Sequence, residues 1–85
     1  MLYEIVVLPA ARKALRKLDS TARERIGTKI DRLARNPRPS GCKKLEGGDE
    51  LYRIRVGDFR VIYRIEDEVL VVAVVTIGNR RDVYR

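Results

Sequence analysis

The residues best suited to chemistry in this chain are arginines. Arg53, Arg55 and Arg60 fall within Leu51-Tyr-Arg-Ile-Arg-Val-Gly-Asp-Phe-Arg-Val-Ile-Tyr-Arg-Ile65, two alternating runs separated by Gly57-Asp58. Glycine at the first central position suits a two-residue type II′ turn, so the stretch reads as a tight β-hairpin. That turn sets Val56 across from Phe59, Arg55 from Arg60, Ile54 from Val61, Arg53 from Ile62 and Tyr52 from Tyr63. Tyr52, Ile54, Val56, Phe59, Val61 and Tyr63 then share a core face; Leu51, Arg53, Arg55, Arg60, Ile62 and Arg64 share the other. A sheet built only for stability avoids a like-charge pair such as Arg55 and Arg60. The pair therefore points to an anion over that face, with a phosphate backbone the natural candidate. The competing reading is a plain wet face, whose arginine stems splay into water.

Other catalytic chemistries are poorly served. The 85 residues include no histidine and one cysteine, which rules out paired-imidazole cleavage of RNA. Cys42 lacks a histidine to activate it and is expected to be a bystander. It has no disulfide partner, and no Cys/His cluster is present to hold zinc, so neither metal nor cofactor is expected. Lys43 and Lys44 could neutralise phosphates or could simply be solvated; the second reading is favoured for Lys44. The net charge of +7 suits an acidic partner: nucleic acid, an anionic membrane surface or an acidic protein. The longest apolar run, Val69 to Val75, is too short to span a bilayer. With no signal-peptide pattern at the start, a cytoplasmic protein is expected.

Length and a 45% hydrophobic content fit one domain over residues 1–85. Residues 2–8 read as a strand. Pro9 suits the first turn of a helix, and Ala11, Ala14, Leu15 and Leu18 recur at helical spacing. Asp19-Ser20 supplies an N-cap for a second helix striped by Ala22, Ile26, Ile30, Leu33 and Ala34. Gly27 inside it suggests close packing, and Asn36-Pro37 ends it. The many basic residues of this helical hairpin are expected to face solvent or an acidic partner. A loop over 37–50 follows, in which Lys43-Lys44-Leu45 can pair briefly as a strand. Glu66-Asp67-Glu68 marks a turn, and Val69 to Ile77, apolar on both faces, suits a central strand that Gly78-Asn79 breaks. The expected fold is α+β, ordered β-α-α-β-β-β, with the helical hairpin on one face of a mostly antiparallel sheet.

Taken together, the N-terminal strand and helical hairpin, Asn36-Pro37, Lys43-Lys44-Leu45-Glu46-Gly47, the Leu51–Tyr63 hairpin and the ending Ile77-Gly-Asn-Arg-Arg-Asp-Val-Tyr84 resemble the RelE/ParE toxins of toxin–antitoxin pairs. The resemblance covers nearly the whole chain. RelE-like members are ribonucleases that cut mRNA in the ribosomal A site; ParE-like members share the fold, lack the nuclease residues and poison DNA gyrase. The chain looks closer to RelE. Arg53 and Arg55 match the family's basic pair on the strand, Arg60 the arginine after the turn, Arg80 the arginine after the last strand, and Tyr84 the aromatic residue near the C-terminus. On this likeness Lys43, Lys44 and Arg81 join them as RNA-binding candidates.

The implied reaction needs no metal. The ribose 2′-OH attacks its own 3′ phosphate and leaves a 2′,3′-cyclic phosphate and a 5′-OH. Arginines suit the balancing of phosphorane charge, and Tyr84 suits stacking on a base beside the cut. Relatives often carry lysine at positions 53 and 55 and histidine at position 79, where this chain has arginine and Asn79. Arginine is a poor general base, which leaves Glu50, Asp58, Lys43 or a ribosomal RNA atom, or a catalysis resting on positioning and charge alone. The resemblance also implies a RelB-like antitoxin, the ribosome and mRNA as partners, with the toxin–antitoxin complex binding operator DNA through the antitoxin. A gyrase-blocking ParE-like binder and a purely regulatory partner of the antitoxin are the alternatives.

Overall fold

A computed structural model of the protein describes residues 2–46 and 50–79. Its elements are β1 (Glu4–Val7), α1 (Pro9–Arg16), α2 (Ser20–Arg32), β2 (Lys43–Lys44), β3 (Leu51–Val56), β4 (Phe59–Glu66) and β5 (Val71–Asn79). They form one five-stranded sheet in the order β1-β5-β4-β3-β2, with β1 parallel to β5 and every other pairing antiparallel. This is the expected α+β arrangement, with α1 packed over β5 and α2 over β3. Among the described residues no helix is long and apolar enough to cross a membrane.

Local chemistry explains the helical ends. Pro9 opens α1 after an extended Leu8, a position where its missing N–H costs nothing. Asp19 caps α2 by accepting a hydrogen bond from the Ala22 amide at 2.8 Å. Arg23 reaches back from α2 to donate to the Leu15 and Leu18 carbonyls at 3.2 and 2.7 Å, so this basic residue satisfies the end of α1 rather than only facing solvent. Regular α2 stops at Arg32, short of the expected Asn36-Pro37. The amides of Leu33, Ala34 and Arg35 instead bond the carbonyls three residues back, at 3.0, 3.2 and 3.2 Å, which tightens the chain before proline arrests it. Gly27 has no packing role, because a Cβ built there meets nothing within 4 Å.

The hairpin keeps the register its turn demands. Val56 pairs with Phe59, Arg55 with Arg60, Ile54 with Val61, Arg53 with Ile62 and Tyr52 with Tyr63. Gly57 takes φ 61° while Asp58 stays out of the left-handed region, which fits a type II′ turn and not type I′. On its other side β4 slips against β5 between Ile62 and Tyr63: Thr76 faces Ile62, Val74 faces Tyr63, and Val75 is the extra residue. This bulge lets Ile77 and Val74 both point into the core although three positions separate them. Gly78 and Asn79 do not break β5; they pair with Arg60 and Phe59, extending the strand to the hairpin's end. Glu66 likewise belongs to β4, and the turn falls at residues 67–70, closing on Leu70 at φ 55°.

The core lies between helices and sheet. Ile26 and Leu33 meet Val61, Tyr63, Ile65, Val72 and Val74, all essentially sealed from water. Each such aliphatic side chain contributes about 1.5–3 kcal/mol by burial. At one edge, Arg38 fastens the loop after α2. It donates to both carboxylate oxygens of Asp67, at 3.3 and 2.8 Å, and to the Tyr52 hydroxyl at 3.1 Å. Its guanidinium lies 5.2 Å from the centre of the Tyr52 ring, and that ring stacks on Tyr63. Tyr63 donates to the Pro37 carbonyl at 2.7 Å, and burial pushes its phenol pKa up. Tyr3 also donates to Asp67, at 2.6 Å.

Two predictions follow from these contacts. Hydrogen bonds from Arg38, then Tyr3, hold the Asp67 carboxyl down to about 2 from an ordinary 3.8. In that interval the unfolded chain binds more protons, so this contribution to stability is complete above about pH 4 and disappears as pH falls toward 2. The gap in unfolding midpoint between the native protein and Asp67→Asn should be flat above pH 4 and close by pH 2; a gap independent of pH would refute the clasp's ionic character. Gly27→Ala, having room and removing a flexible helical residue, should raise the urea unfolding free energy by about 0.5–1 kcal/mol.

Candidate nucleic-acid interface

The face of the sheet turned away from the helices carries the arginines. Residues directly opposite in an antiparallel pair share a face, so the register puts Arg53 beside Ile62, and Arg55 beside Arg60, with Gly78 on the far side of Arg60. Next to a two-residue turn, the Arg55–Arg60 pair is of the non-hydrogen-bonded kind, with Cα atoms about 4.5 Å apart. The like charges are thus forced into the closer of the two pair geometries.

The centre of this face is not wet. Arg53 and Arg60 are only 5% and 3% exposed, whereas Arg55 is open to solvent. The difference accompanies position in the sheet. Arg53 is flanked by Lys43 on β2 and Ile62 on β4, and Arg60 by β3 and β5. The two-residue β2 stops short of Arg55, leaving the β3 edge bare there. Two nitrogens of the Arg53 guanidinium, Nε and Nη1, are buried with no hydrogen-bond partner. Among the described residues, no ion pair involves Arg53 or Arg55.

The remaining candidates separate by strand face. Lys43 pairs with Arg53 and stands exposed on the basic side, while Lys44 pairs with Tyr52 and so starts on the opposite side. There its Nζ lies 4.0 Å from Glu50 Oε1. Glu50 also lies 3.9 Å from Arg38, so it faces this cluster and not Arg53. Asp58 differs: with Arg55, Gly57, Phe59 and Arg60 it lines a hollow of about 50 Å³. Asn79, paired with Phe59, starts on the face opposite Arg60. Cys42 is half-buried against the core. Arg80, Arg81 and Tyr84 lie outside the described residues. Among the described residues no three His, Cys, Asp or Glu side chains are placed to hold a metal.

A larger cavity, about 540 Å³, opens at the bare edge of β3. Lys29 and Arg32 of α2, residues 39–41 of the following loop and residues 53–55 of β3 line it. Sequence alone leaves Lys29 and Arg32 among the basic residues of the helical hairpin that are expected to face solvent or an acidic partner. Their i, i+3 spacing beside the Ile26–Ile30–Leu33 stripe was the available signal; what hid their role was that nothing local tells which strand the stripe's border meets.

The chain is similar to known proteins over most of its length. A family model described as the ParE toxin of the type II toxin–antitoxin system, parDE, matches residues 5–84. The mRNA interferase toxin RelE of Escherichia coli strain K12 is 36% identical over 72 residues, 82% of this chain and 75% of that protein. The crystal structure of the archaeal RelE–RelB complex from Pyrococcus horikoshii OT3 matches with a TM-score of 0.85 at 31% identity, covering 96% of this chain and 99% of that one. The intact E. coli RelBE toxin–antitoxin complex matches with a TM-score of 0.80 at 33% identity, covering 91% of this chain and 95% of that one.

Burying a guanidinium with unpaired nitrogens is costly, and an apolar chain of similar length avoids that cost. Arg53→Met should therefore raise the unfolding free energy by about 1 kcal/mol or more in urea titration. A destabilised variant would show that Arg53 is held for the fold itself.

Proposed function

The chain belongs to the RelE/ParE toxin superfamily, close to its RelE branch, and from that we propose that it is a ribosome-dependent endoribonuclease that cleaves mRNA in the A site. The carrying observation is the convergence of Arg53, Arg55 and Arg60 on one face of two adjacent strands, with Arg55 and Arg60 directly opposed. Among the described residues no ion pair offsets Arg53 or Arg55. A scissile phosphate would supply the acceptors that Arg53 lacks.

In the proposed reaction the 2′-oxygen bonds to the adjacent phosphorus, the bond from phosphorus to the 5′-oxygen breaks, and that oxygen leaves with a proton. Arg55 and Arg60 stabilise the charge on the non-bridging oxygens, and Arg53 fixes the strand's position. Arginine does not deprotonate the 2′-OH. Of the chain's own candidates, Asp58 shares the hollow with Arg55 and Arg60, and Lys43 adjoins Arg53, whereas Glu50 is drawn off by Arg38 and Lys44. The family resemblance gives Arg80 and Tyr84 catalytic roles and Arg81 an RNA-binding one. The ribosome holds the message in the in-line geometry that a chain this short cannot impose. A RelB-like antitoxin, drawn by the +7 charge, covers the basic face and carries the complex to operator DNA; the protein acts in the cytoplasm, where translation runs.

The family model named for ParE toxins favours a second reading, a non-catalytic inhibitor of DNA gyrase. One experiment separates them. Primer extension on a message translated with the purified protein should give discrete A-site stops, reduced about 100-fold or more by Arg55→Ala and by a folded Arg60→Ala. Intact message together with trapped DNA breaks would establish the gyrase reading instead.

A further inference from the structure

The cavity at the β3 edge gathers Lys29, Arg32, Arg53 and Arg55, and among the described residues no carboxylate lines it. A plain explanation exists for two of the four. Lys29 and Arg32 occupy the last turn of α2, where cations offset the helix dipole. That explanation does not reach Arg53, a residue 5% exposed on a different element, with Nε and Nη1 unpaired. A fold has no reason to bury a charge without acceptors and then bring two further cations to the same hollow. A ligand that supplies the acceptors removes the contradiction.

The lining specifies the ligand's chemistry. A guanidinium presents a planar fork suited to two oxygens of one phosphate, and lysine adds a point charge. Ser40 adds a hydroxyl, and Pro39 with Ile54 gives an apolar floor on which a sugar can lie. A volume of about 540 Å³ falls within the usual range for small-ligand sites, and holds a phosphate with the nucleoside attached. Arg55 belongs to this cavity and also to the hollow shared with Arg60 and Asp58. The two spaces therefore adjoin across the edge that β2 leaves bare.

We infer that this cavity is a second phosphate subsite, which takes the backbone phosphate next to the scissile one in the same RNA strand, with Lys29 and Arg32 as its RNA-binding residues. The inference rests on the ribonuclease reading. A strand crossing the Arg55–Arg60 pair passes over the β3 edge and turns in toward α2, so Arg55 touches both phosphates. Lys29 and Arg32 set affinity and the direction of the strand, and take no part in bond making.

The test compares three proteins: native, Lys29→Ala/Arg32→Ala, and Lys13→Ala/Arg16→Ala, which removes equal charge from the last turn of α1. Binding of a short fluorescein-labelled single-stranded RNA is followed by anisotropy across a salt series. The Lys29/Arg32 variant should lose about tenfold in affinity, and its log–log salt slope should flatten by about 0.7 or more for the lost phosphate contact; the Lys13/Arg16 variant should stay near native. Equal behaviour of the two variants would overturn the subsite. So would unchanged RNA binding with weakened binding of an acidic antitoxin peptide, which would assign the cavity to a protein partner. Lys29→Gln/Arg32→Gln, which keeps a polar side chain with most of its stem and removes the charge, must reproduce the loss, or the effect is one of packing. Failure of the native protein to cut message on the ribosome would sink the ribonuclease reading alone, because the binding comparison needs no cleavage.

Discussion

A hairpin closed by two residues has a single register available to it, and here that register governs both sides of the sheet. Gly57 at φ 61° supplies a conformation that a side chain would resist. The pairing it imposes buries Tyr52, Ile54, Val56, Val61 and Tyr63 against the helices. The same pairing assembles Arg53, Arg55 and Arg60 on the reverse side. A slip of one residue would exchange the faces and expose the core. Burial worth several kcal/mol thus enforces a like-charge contact that costs about 0.2–1 kcal/mol. The core is what compels the cations to meet.

The arginines of this chain divide by whether their donors are spent. Arg23 closes the end of α1 and Arg38 ties the loop at residues 37–42 to the sheet through Asp67 and Tyr52. Both serve the fold. Arg53 is deeply buried yet keeps unpaired nitrogens, and Arg55 is open at a bare edge. The two classes are also linked, since the loop that Arg38 anchors forms one wall of the basic cavity.

Likeness to relatives adds a family and leaves the chemistry to the residues. The family model carries the ParE name, whereas the E. coli and Pyrococcus horikoshii relatives carry the RelE name. Arginine at positions 53 and 55 supplies permanent charge and fixed donor geometry in place of a titratable amine. Asp58 is the carboxylate that shares a hollow with Arg55 and Arg60.

The hairpin, its register, the two helical caps and the choice of core residues were legible in the order of residues, because alternation, turn chemistry and capping are local properties. Three features were not. The bulge at Val75 was masked by a run apolar at every position, in which no period marks the slip. The burial of Arg53 and Arg60 beside an exposed Arg55 was a matter of tertiary surroundings, which alternation along a strand does not encode. The cavity joining Lys29 and Arg32 to β3 required α2 to land on one particular edge. Sequence by itself determined which residues share a face, since that follows from backbone geometry within an element. Only the tertiary structure decided which of them stay dry, which remain unpaired and which face one another, because solvent access and charge compensation are set by neighbours distant in the chain.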